Sequence, residues 1–418
     1  MNSFTSKKNK FQKLKGDEVI FDNPHPDIHI ANIPIATACW VKTTEGIVVI
    51  DTLLRNIHGE QMYNKIKTTT DGIIKYLIIT HGHRDHHGGY RPFMQDSPEI
   101  ITQSLFLERL EKYKIQAPYQ DRVKSIQFNM PMKKVTPEQL EKWRQIKYIS
   151  PTKLYDEFFS FKLGDKTFEL YHARGETDCA TWVWIPEIKV AFVGDLLIGR
   201  FPNIGNPFKP TRFALPWARA LEKIREKKPK MIIHGGYYHP VYKDYEVREV
   251  LDHTIEAIHI IHDQVIDYIN NGVPLYDFIN KVKLPEYLKK SPYLTSQYSR
   301  IEFAVQNIYR WYHGYFDFNP AHLLPVPEAT INREILSLIG NKASILNRVQ
   351  ELISKHKLQL ALQVLNIILF EDMKNVEARK LRLKILKEIR EEDNCMMSFN
   401  IWTYYINEDK KFISYYKS

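Results

Sequence analysis

The stretch YLIITHGHRDHHGGY, from Tyr76 to Tyr90, concentrates side chains that bind metal ions. Four histidines and an aspartate fall within seven residues. Neutral imidazole and carboxylate together suit zinc, and also iron or manganese. The alternative is a solvated polar loop in which histidines cluster by chance. The pattern His-x-His-x-Asp-His directly after a buried run favours a metal site, with ligands at His81, His83, Asp85 and His86.

The segment before these ligands predicts how they are held. The run IKYLIIT indicates a strand, and a loop at the end of a strand is held rigidly by the sheet behind it. His81 and His83 are two residues apart, so in an extended loop both imidazoles reach the same side. Asp85 and His86 follow in a turn toward Gly88-Gly89, a pair that can open a helix. Asp51, at the end of an earlier strand pattern, is expected to accept a hydrogen bond from behind this loop.

The first ~240 residues alternate short strand patterns with helical or loop segments. Turn sequences such as TTEG and LGDK join several of them as hairpins. This pattern favours an α/β protein with much antiparallel pairing over a purely βαβ sheet. The strand patterns are rich in β-branched and aromatic residues and are ATACWVKT, GIVVID, IKYLIIT, FFSFKL, TFELYH, TWVWI and IKVAFVGD.

From about Glu246 onward the strand patterns give way to helical ones. In VLDHTIEAIHIIHDQVIDYINNG, apolar residues recur at helical spacing, and Gly272 ends the run. A linker with three prolines, FNPAHLLPVPEATIN, precedes a tail that indicates helical hairpins. Within that tail, the run from Leu358 to Phe370 is apolar nearly all round, so it must be buried on several sides.

Composition excludes several classes of protein. No apolar run reaches the roughly 18 residues that a membrane span requires. Three widely spaced cysteines and the lack of a secretory signal predict a cytoplasmic protein. The formal charge is +10, but acidic residues are interleaved with the basic ones, and no aromatic-basic pattern suits stacked bases. Neither a nucleic acid nor a membrane is therefore expected as a partner.

The His-x-His-x-Asp-His loop resembles the hallmark of the metallo-β-lactamase superfamily. The stretches RGETDCATWVWIP, GDLLIGRFPNIGNPFK, HDQVIDYINNG and NIYRWYHGYFDFNPAHLLP look like its alkylsulfatase-like branch, as does the helical tail. The resemblance implies an α/β fold: an αββα metallo-β-lactamase sandwich followed by an all-helical dimerisation domain. The expected parts are a flexible basic N-terminus at 1–21, a catalytic domain at 22–245 and a helical dimerisation domain at 246–418.

The resemblance also implies where the remaining ligands lie. Glu176 stands where the superfamily usually has a histidine, a substitution that looks like the alkylsulfatase branch. Asp195, at the end of a later strand pattern, occupies the place of the metal-bridging carboxylate. The last ligand is usually a histidine after a late strand, but in KMIIHGGYYHPVY it is displaced. We expect His239 there, with His234, or no histidine at all, as the alternatives.

These ligands imply two zinc ions per chain that share Asp195 and a water. The pKa of such a water falls toward neutrality, so the resulting hydroxide is the expected nucleophile, with Asp85 and Asp195 as the catalytic carboxylates. Three side chains in GRFPNIGNPFKPTR can orient an anionic substrate, namely Arg200, Asn203 and Arg212. The alternative is that this stretch is an ordinary exposed basic loop.

The resulting hypothesis is a zinc-dependent hydrolase that cleaves a small anionic ester, most simply an alkyl sulfate. The chain is further expected to form a homodimer, built chiefly by the helical region from about Leu251 onward. A lactone or thioester hydrolase of the same superfamily is the alternative enzyme. A metal-binding scaffold without activity is the alternative from a different class, because the last histidine ligand is displaced.

Overall fold

The computed structural model describes residues 17–132, 135–145, 147–236 and 240–416. The strands within these residues are β1 Ile20–His25, β2 Ile28–Ile33, β3 Ala36–Thr43, β4 Gly46–Ile50, β5 Ile74–Ile78, β6 Glu99–Gln103, β7 Lys153–Tyr155, β8 Phe158–Leu163, β9 Lys166–Ala173, β10 Ala180–Ile185, β11 Val190–Phe192, β12 Met231–Ile233 and β13 Val241–Lys243. The helices are α1 Asn56–Thr69, α2 Arg84–His87, α3 Leu105–Ile115, α4 Ala117–Gln127, α5 Pro137–Arg144, α6 Ala214–Glu226, α7 Tyr245–Asn270, α8 Leu275–Phe278, α9 Glu286–Lys289, α10 Ile301–Tyr312, α11 Glu328–Ile339, α12 Lys342–Ser354, α13 Leu358–Glu371, α14 Val376–Glu392 and α15 Met396–Tyr415. None of the helices in the described ranges is long and apolar enough to cross a membrane.

The strands form two mixed sheets. The seven-stranded sheet follows chain order from β1 to β7, and the six-stranded sheet has the order β13-β12-β11-β10-β9-β8. In the first sheet, β1 to β4 pair antiparallel and β4 to β7 pair parallel. In the second, β11 and β12 are parallel and the other neighbours are antiparallel. The predicted mixture of parallel and antiparallel pairing is confirmed.

Alternating side chains on the strands fill two different cores, because successive residues of a strand point to opposite faces. On β3, Cys39 faces the core between the two sheets, whereas Trp40 faces the core beneath α1. On β10, Val183 faces the core between the sheets, whereas Trp182 and Trp184 face the core that α6, α7 and α10 cover. Helices therefore cover the outer face of each sheet, which confirms the αββα sandwich.

The chain packs as two compact units. The first comprises the chain up to Gln120 together with Val135–His313, and the second comprises Asp121–Lys134 and the chain from Gly314. Helices α7 and α10 belong to the first unit, where they pack over the second sheet. The packing division thus follows His313, whereas the sequence suggested a boundary after Tyr245. The assignment of 246–418 to a dimerisation domain stays a prediction.

At the other end of the first unit, β1 begins at Ile20. Ile20 and Phe21, which the sequence assigned to a flexible N-terminus, are therefore part of the seven-stranded sheet. Residues 1–16 of that predicted segment lie outside the described residues.

The second unit is helical and has an apolar core of its own. Helix α13, which the sequence indicated to be apolar nearly all round, contributes Leu365 and Ile368 to this core and leaves Leu360 and Phe370 exposed. Asp409 of α15 is buried among these helices, and two guanidinium groups of α14 compensate its charge. Burying a carboxylate is tolerable only with such partners.

Four strands end at one edge of the sandwich, and each is followed by a polar residue: Asp51 after β4, His81 after β5, Asp195 after β11 and His234 after β12. Backbone hydrogen bonds join the loops at this edge across the two sheets. Thr181 N donates to Thr80 O at 2.7 Å, and Thr37 N donates to Gly235 O at 2.9 Å. The edge is therefore a single connected platform for side chains from both sheets.

Glycines allow α1 to lie directly against the loop after β5. A Cβ atom built on Gly59 of α1 would lie 1.9 Å from Gly89 O, far inside any normal contact. Gly88 and Gly89 were expected to open a helix, but α2 precedes them instead. Their role is close packing, since a Cβ on Gly89 would lie 2.1 Å from Thr52 O.

We expect Gly59→Ala to destabilise the fold by about 1–3 kcal/mol because the added methyl group overpacks this contact. In an ordinary helix interior the same change stabilises by roughly 1 kcal/mol, so the sign is diagnostic. Thermal unfolding measures the effect. The matched control is Gly314→Ala, whose Cβ would meet nothing within 4 Å. Equal melting temperatures for the two variants would contradict the close approach of α1.

Candidate metal centre

Asp195 lies between two imidazoles of the loop after β5. Its Oδ2 atom is 3.4 Å from His81 Nε2, and its Oδ1 atom is 3.3 Å from His86 Nε2. His81 and His86 are buried. Each oxygen of the Asp195 carboxylate therefore faces one imidazole nitrogen.

A second group of donors shares the same aspartate. His83 Nδ1 lies 3.7 Å from Glu176 Oε2 and 4.0 Å from Asp195 Oδ2. Glu176 is in the loop between β9 and β10, so this group combines loops from both sheets. Two three-residue groups result, His81-His86-Asp195 and His83-Glu176-Asp195.

The spacing and chemistry of these donors fit a divalent metal ion. Ligand atoms about 2.0–2.1 Å from a tetrahedral zinc ion lie about 3.3 Å from one another. His86 Nε2 and Asp195 Oδ1 are buried, and neither has a hydrogen-bond partner in the described part of the chain. A Cβ on Gly235 would lie 2.6 Å from Asp195 Oδ1 and 2.8 Å from His86 Cε1. Glycine at this position keeps the space beside the two donors open.

Asp51 orients the imidazoles from behind. Its carboxylate accepts hydrogen bonds from Thr80 N at 2.8 Å, from Thr80 Oγ1 at 2.7 Å and from His86 Nδ1 at 2.7 Å. Since Thr80 Oγ1 donates to Asp51, His81 Nδ1, 3.1 Å away, can donate to Thr80. Protons on both Nδ1 atoms leave the Nε2 lone pairs of His81 and His86 for a metal ion. The hydrogen bond expected of Asp51 is present.

Neighbouring charges favour the ionised forms of Asp195 and His86, so a metal ion that binds His86 Nε2 would displace a proton. Burial alone would raise the pKa of Asp195, but His86 and His81 outweigh it and hold that pKa well below its usual range. Burial likewise opposes the charged form of His86, but Asp195 and Asp51 hold its pKa well above the ordinary value. Burial raises the pKa of Glu176 to about 7, Asp195 adds to the rise, and Arg212 opposes it. Burial lowers the pKa of His83.

Arg212 is a buried cation beside this centre. Its NH1 atom lies 2.8 Å from Glu176 Oε2 and donates to Asn203 O at 2.6 Å. Asn307 fixes the backbone of Arg212, accepting from its N–H and donating to its carbonyl. The buried Asn203 side chain lies beside Glu176 and lowers the pKa of its carboxyl group. Arg200 donates to Thr295 Oγ1 at 3.2 Å.

Five of the predicted ligands thus come together: His81, His83, His86, Glu176 and Asp195. Asp85 is adjacent, with Oδ2 at 4.0 Å from His86 Nε2. His239 lies outside the described residues, so its predicted role stays a prediction. The alternative, His234, is buried with its ring 5.2 Å from that of Tyr242, and it belongs to neither group within the described residues.

Sequence reasoning missed three residues near the centre. Arg109 and Asp178 form an ion pair at 2.6 Å beside the ligand loops. Burial, and next the nearby carboxylate of Glu176, raise the pKa of the Tyr298 hydroxyl well above its usual value. The one available signal was the spacing of Phe106, Arg109 and Tyr113 on a helical face; nothing in the sequence distinguishes Tyr298.

We expect Asp51→Asn to weaken zinc binding about 10- to 100-fold, as substitutions behind metal ligands typically do. The amide keeps the shape, but it cannot accept all the bonds from Thr80 and His86. It also tolerates the left-handed backbone of residue 51, whose φ is 62°. Competition with a chromophoric chelator measures the affinity. The control is Asp96→Asn, which removes a carboxylate that binds Tyr63 and Lys67 away from the centre. This variant should keep the zinc affinity of the unmodified protein. Equal affinities in the two variants would contradict the role of Asp51.

Comparison with known proteins identifies two family models in the chain. The metallo-beta-lactamase superfamily matches residues 34–236, and alkyl sulfatase dimerisation matches residues 275–411. A linear primary-alkylsulfatase of a Pseudomonas species is 23% identical over 84% of this chain and 69% of its own length. An alkyl/aryl-sulfatase of Saccharomyces cerevisiae is 21% identical over 86% of this chain and 59% of its own.

Among solved structures, a stereoselective inverting sec-alkylsulfatase from Pseudomonas sp. superimposes with a TM-score of 0.82 at 19% identity. That match covers 94% of this chain and 66% of the other. The chain thus spans between 59% and 69% of the length of these three relatives. The fold is the same over nearly the whole chain. The chain belongs to the metallo-β-lactamase superfamily, in the alkylsulfatase-like branch that joins the metallohydrolase fold to an alkylsulfatase dimerisation domain.

Proposed function

We propose that this protein is a zinc-dependent hydrolase that cleaves alkyl sulfate esters. The observation that supports this substrate class best is the buried guanidinium of Arg212, 2.8 Å from the carboxylate of Glu176. A sulfate monoester is anionic throughout the neutral pH range, so its binding needs a fixed positive charge beside the reacting bond. The similarity in sequence to alkylsulfatases points to the same class.

The two groups of donors are suited to hold two zinc ions, with Asp195 common to both. His81 and His86 would complete one site, and His83 and Glu176 the other, with Asp85 and His239 as further ligands. Bound zinc supplies a water of lowered pKa and a Lewis acid for the ester oxygen. Overall, water adds to the ester, which breaks into an alcohol and a sulfate anion.

The chain's own residues orient the substrate. The fork of Arg212 matches two oxygens of a sulfate group, and it is held in place by Asn307 and by Asn203 O. The amide of Asn203, which lies beside Glu176, adds a neutral donor next to Arg212. Arg200, which donates to Thr295 Oγ1, stays a predicted substrate-binding residue.

We also propose that the protein is a homodimer. The match to alkyl sulfatase dimerisation covers residues 275–411, and this range contains a strongly exposed apolar segment. Tyr315, Leu324 and Leu338 are each about nine-tenths exposed, at 90%, 89% and 88%. Along α11, Ile331, Leu338 and Ile339 are exposed, whereas Leu336 packs against the apolar core of the second unit. A surface of this kind in a soluble chain marks an interface.

A cytoplasmic location remains part of the proposal. It is based on the three cysteines, Cys39, Cys179 and Cys395, which are buried and widely spaced in a chain of this size.

We expect the purified protein to release inorganic sulfate from octyl sulfate, to lose this activity with a chelator and to regain it with zinc. Arg212→Lys should lower kcat/KM about 10- to 100-fold, because one hydrogen bond to a charged group contributes roughly 1.5–3 kcal/mol. The matched control is Arg225→Lys, at a surface ion pair with Asp252.

Octyl acetate and a lactone of similar size separate the alternative enzymes. Turnover of these neutral esters without sulfate release would refute the sulfatase and favour the lactone hydrolase. Fewer than two zinc equivalents per chain and no turnover of any ester would favour the scaffold.

For the dimer, light scattering across a dilution series should give twice the chain mass of 49.4 kDa. Replacing Leu324 and Leu338 together by aspartate should shift the mass toward the monomer, since two charges would have to be buried in the interface. Ile73→Asp, at an exposed apolar residue outside the matched range, is the control. A single-chain mass for the unmodified protein at micromolar concentration would rule the dimer out.

A further inference from the structure

Helix α3 supports the metal loop from behind with one of its faces. Phe106, Arg109 and Tyr113 are three and four residues apart, so they lie on the same side of the helix. The ring of Phe106 meets the ring of His87 edge-to-face at 5.6 Å. The ring of Tyr113 lies 6.3 Å from that of His83 and is nearly parallel to it. Arg109, the middle residue of this face, contacts both of the loops that hold predicted metal ligands.

The stem of Arg109 packs against the backbone between two ligands. Gly82 separates His81 from His83, and a Cβ atom there would lie 2.6 Å from Arg109 Cγ. The same atom would lie 3.7 Å from the sulfur of Cys179, which follows the Glu176 loop. The absence of a side chain at residue 82 therefore allows α3 to fix the path of the backbone that carries both histidines.

The guanidinium end of Arg109 binds the other ligand loop. Nε and NH2 donate to the same carboxylate oxygen, Asp178 Oδ1, at 2.9 and 2.6 Å. Asp178 is two residues after Glu176, and its own carbonyl accepts a hydrogen bond from His172 Nε2 at 2.7 Å. One side chain thus contacts both loops that supply the group of His83 and Glu176.

The pair is held in this arrangement by burial. Arg109 is 7% exposed, so its charge depends on Asp178 for compensation and cannot turn out to water without leaving a gap. Asp178 is in turn held by a backbone contact to His172. The position of Asp178 relative to α3 is therefore tightly determined, and Glu176 is carried on the same short loop.

We propose that Arg109 is a positioning residue for the metal centre. Through Gly82 on one side and Asp178 on the other, it fixes the separation of His83 and Glu176 and thereby sets the affinity for the ion bound between them. This inference rests on the proposed zinc function. It adds a determinant of metal affinity that touches neither the ion nor the substrate.

The test measures zinc affinity of the full chain by competition with a chromophoric chelator. Asp178→Asn keeps the shape of the side chain, and Arg109→Lys keeps the charge but loses the fork. Each should weaken one of the two zinc equivalents about 10- to 100-fold and affect the other less. The loss of zinc affinity in the double variant should be smaller than the product of the two single losses. It should be close to the larger single loss, because both changes act through one contact.

Two further variants separate positioning from general stability. Lys166→Met removes a buried lysine that pairs with Asp27 and Asp165 at the opposite end of β9. It should lower the melting temperature and leave zinc affinity unchanged. Gly82→Ala displaces Arg109 without altering any charge and should weaken the same zinc equivalent as Asp178→Asn.

Unchanged zinc affinities in folded Asp178→Asn, Arg109→Lys or Gly82→Ala protein would overturn the inference, whatever their melting temperatures. Zinc alone is the probe, so the result is independent of substrate. A wild-type protein that binds two zinc ions but releases no sulfate from octyl sulfate would refute the sulfatase proposal and leave this measurement intact. A wild-type protein that binds no zinc would overturn both.

Discussion

The rest of the structure depends on one constraint, the burial of the Asp195 carboxylate between two imidazoles. A charge removed from water in this way is tolerable only if opposite charge and donors surround it at short range. His81 and His86 meet that need, and Asp51 in turn compensates His86. Each partner requires the next to be in place. The run of contacts from Asp195 through His86 to Asp51 therefore determines where three separate loops must meet.

No single sheet can bring these loops together. The histidines follow β5 of the first sheet, whereas Glu176 and Asp195 follow β9 and β11 of the second. The core between the sheets sets their spacing, and the backbone bonds from Thr181 to Thr80 and from Thr37 to Gly235 join the two sheets at the edge. Glycines at 82, 89 and 235 occur where a side chain would fill the space that the backbones or the donors occupy. The sandwich thus delivers donors to the centre from two directions.

Much of this was predictable because the strongest signals are local. β-Branched and aromatic residues between clear turns predict the strand at Ala36–Thr43 with the bounds that the structure has. The dense ligand motif likewise predicted the loop after β5. Short strands such as β12 and β13, of three residues each, leave too little pattern to recognise. Arg109 and Asp178 could not be paired from sequence either, because they are 69 residues apart and ordinary surface helices and loops contain the same residue types.

The origin of the donors in both sheets has a consequence for the order of folding. Contacts between residues distant in sequence form late, because closing a long loop costs entropy before the contact stabilises anything. The imidazoles of the loop after β5 can approach one another early, with their own sheet. Glu176 and Asp195 join them only when the second sheet has docked. A nascent chain therefore presents a partial, weakly binding set of histidines first, and the complete set exists only in the nearly finished sandwich.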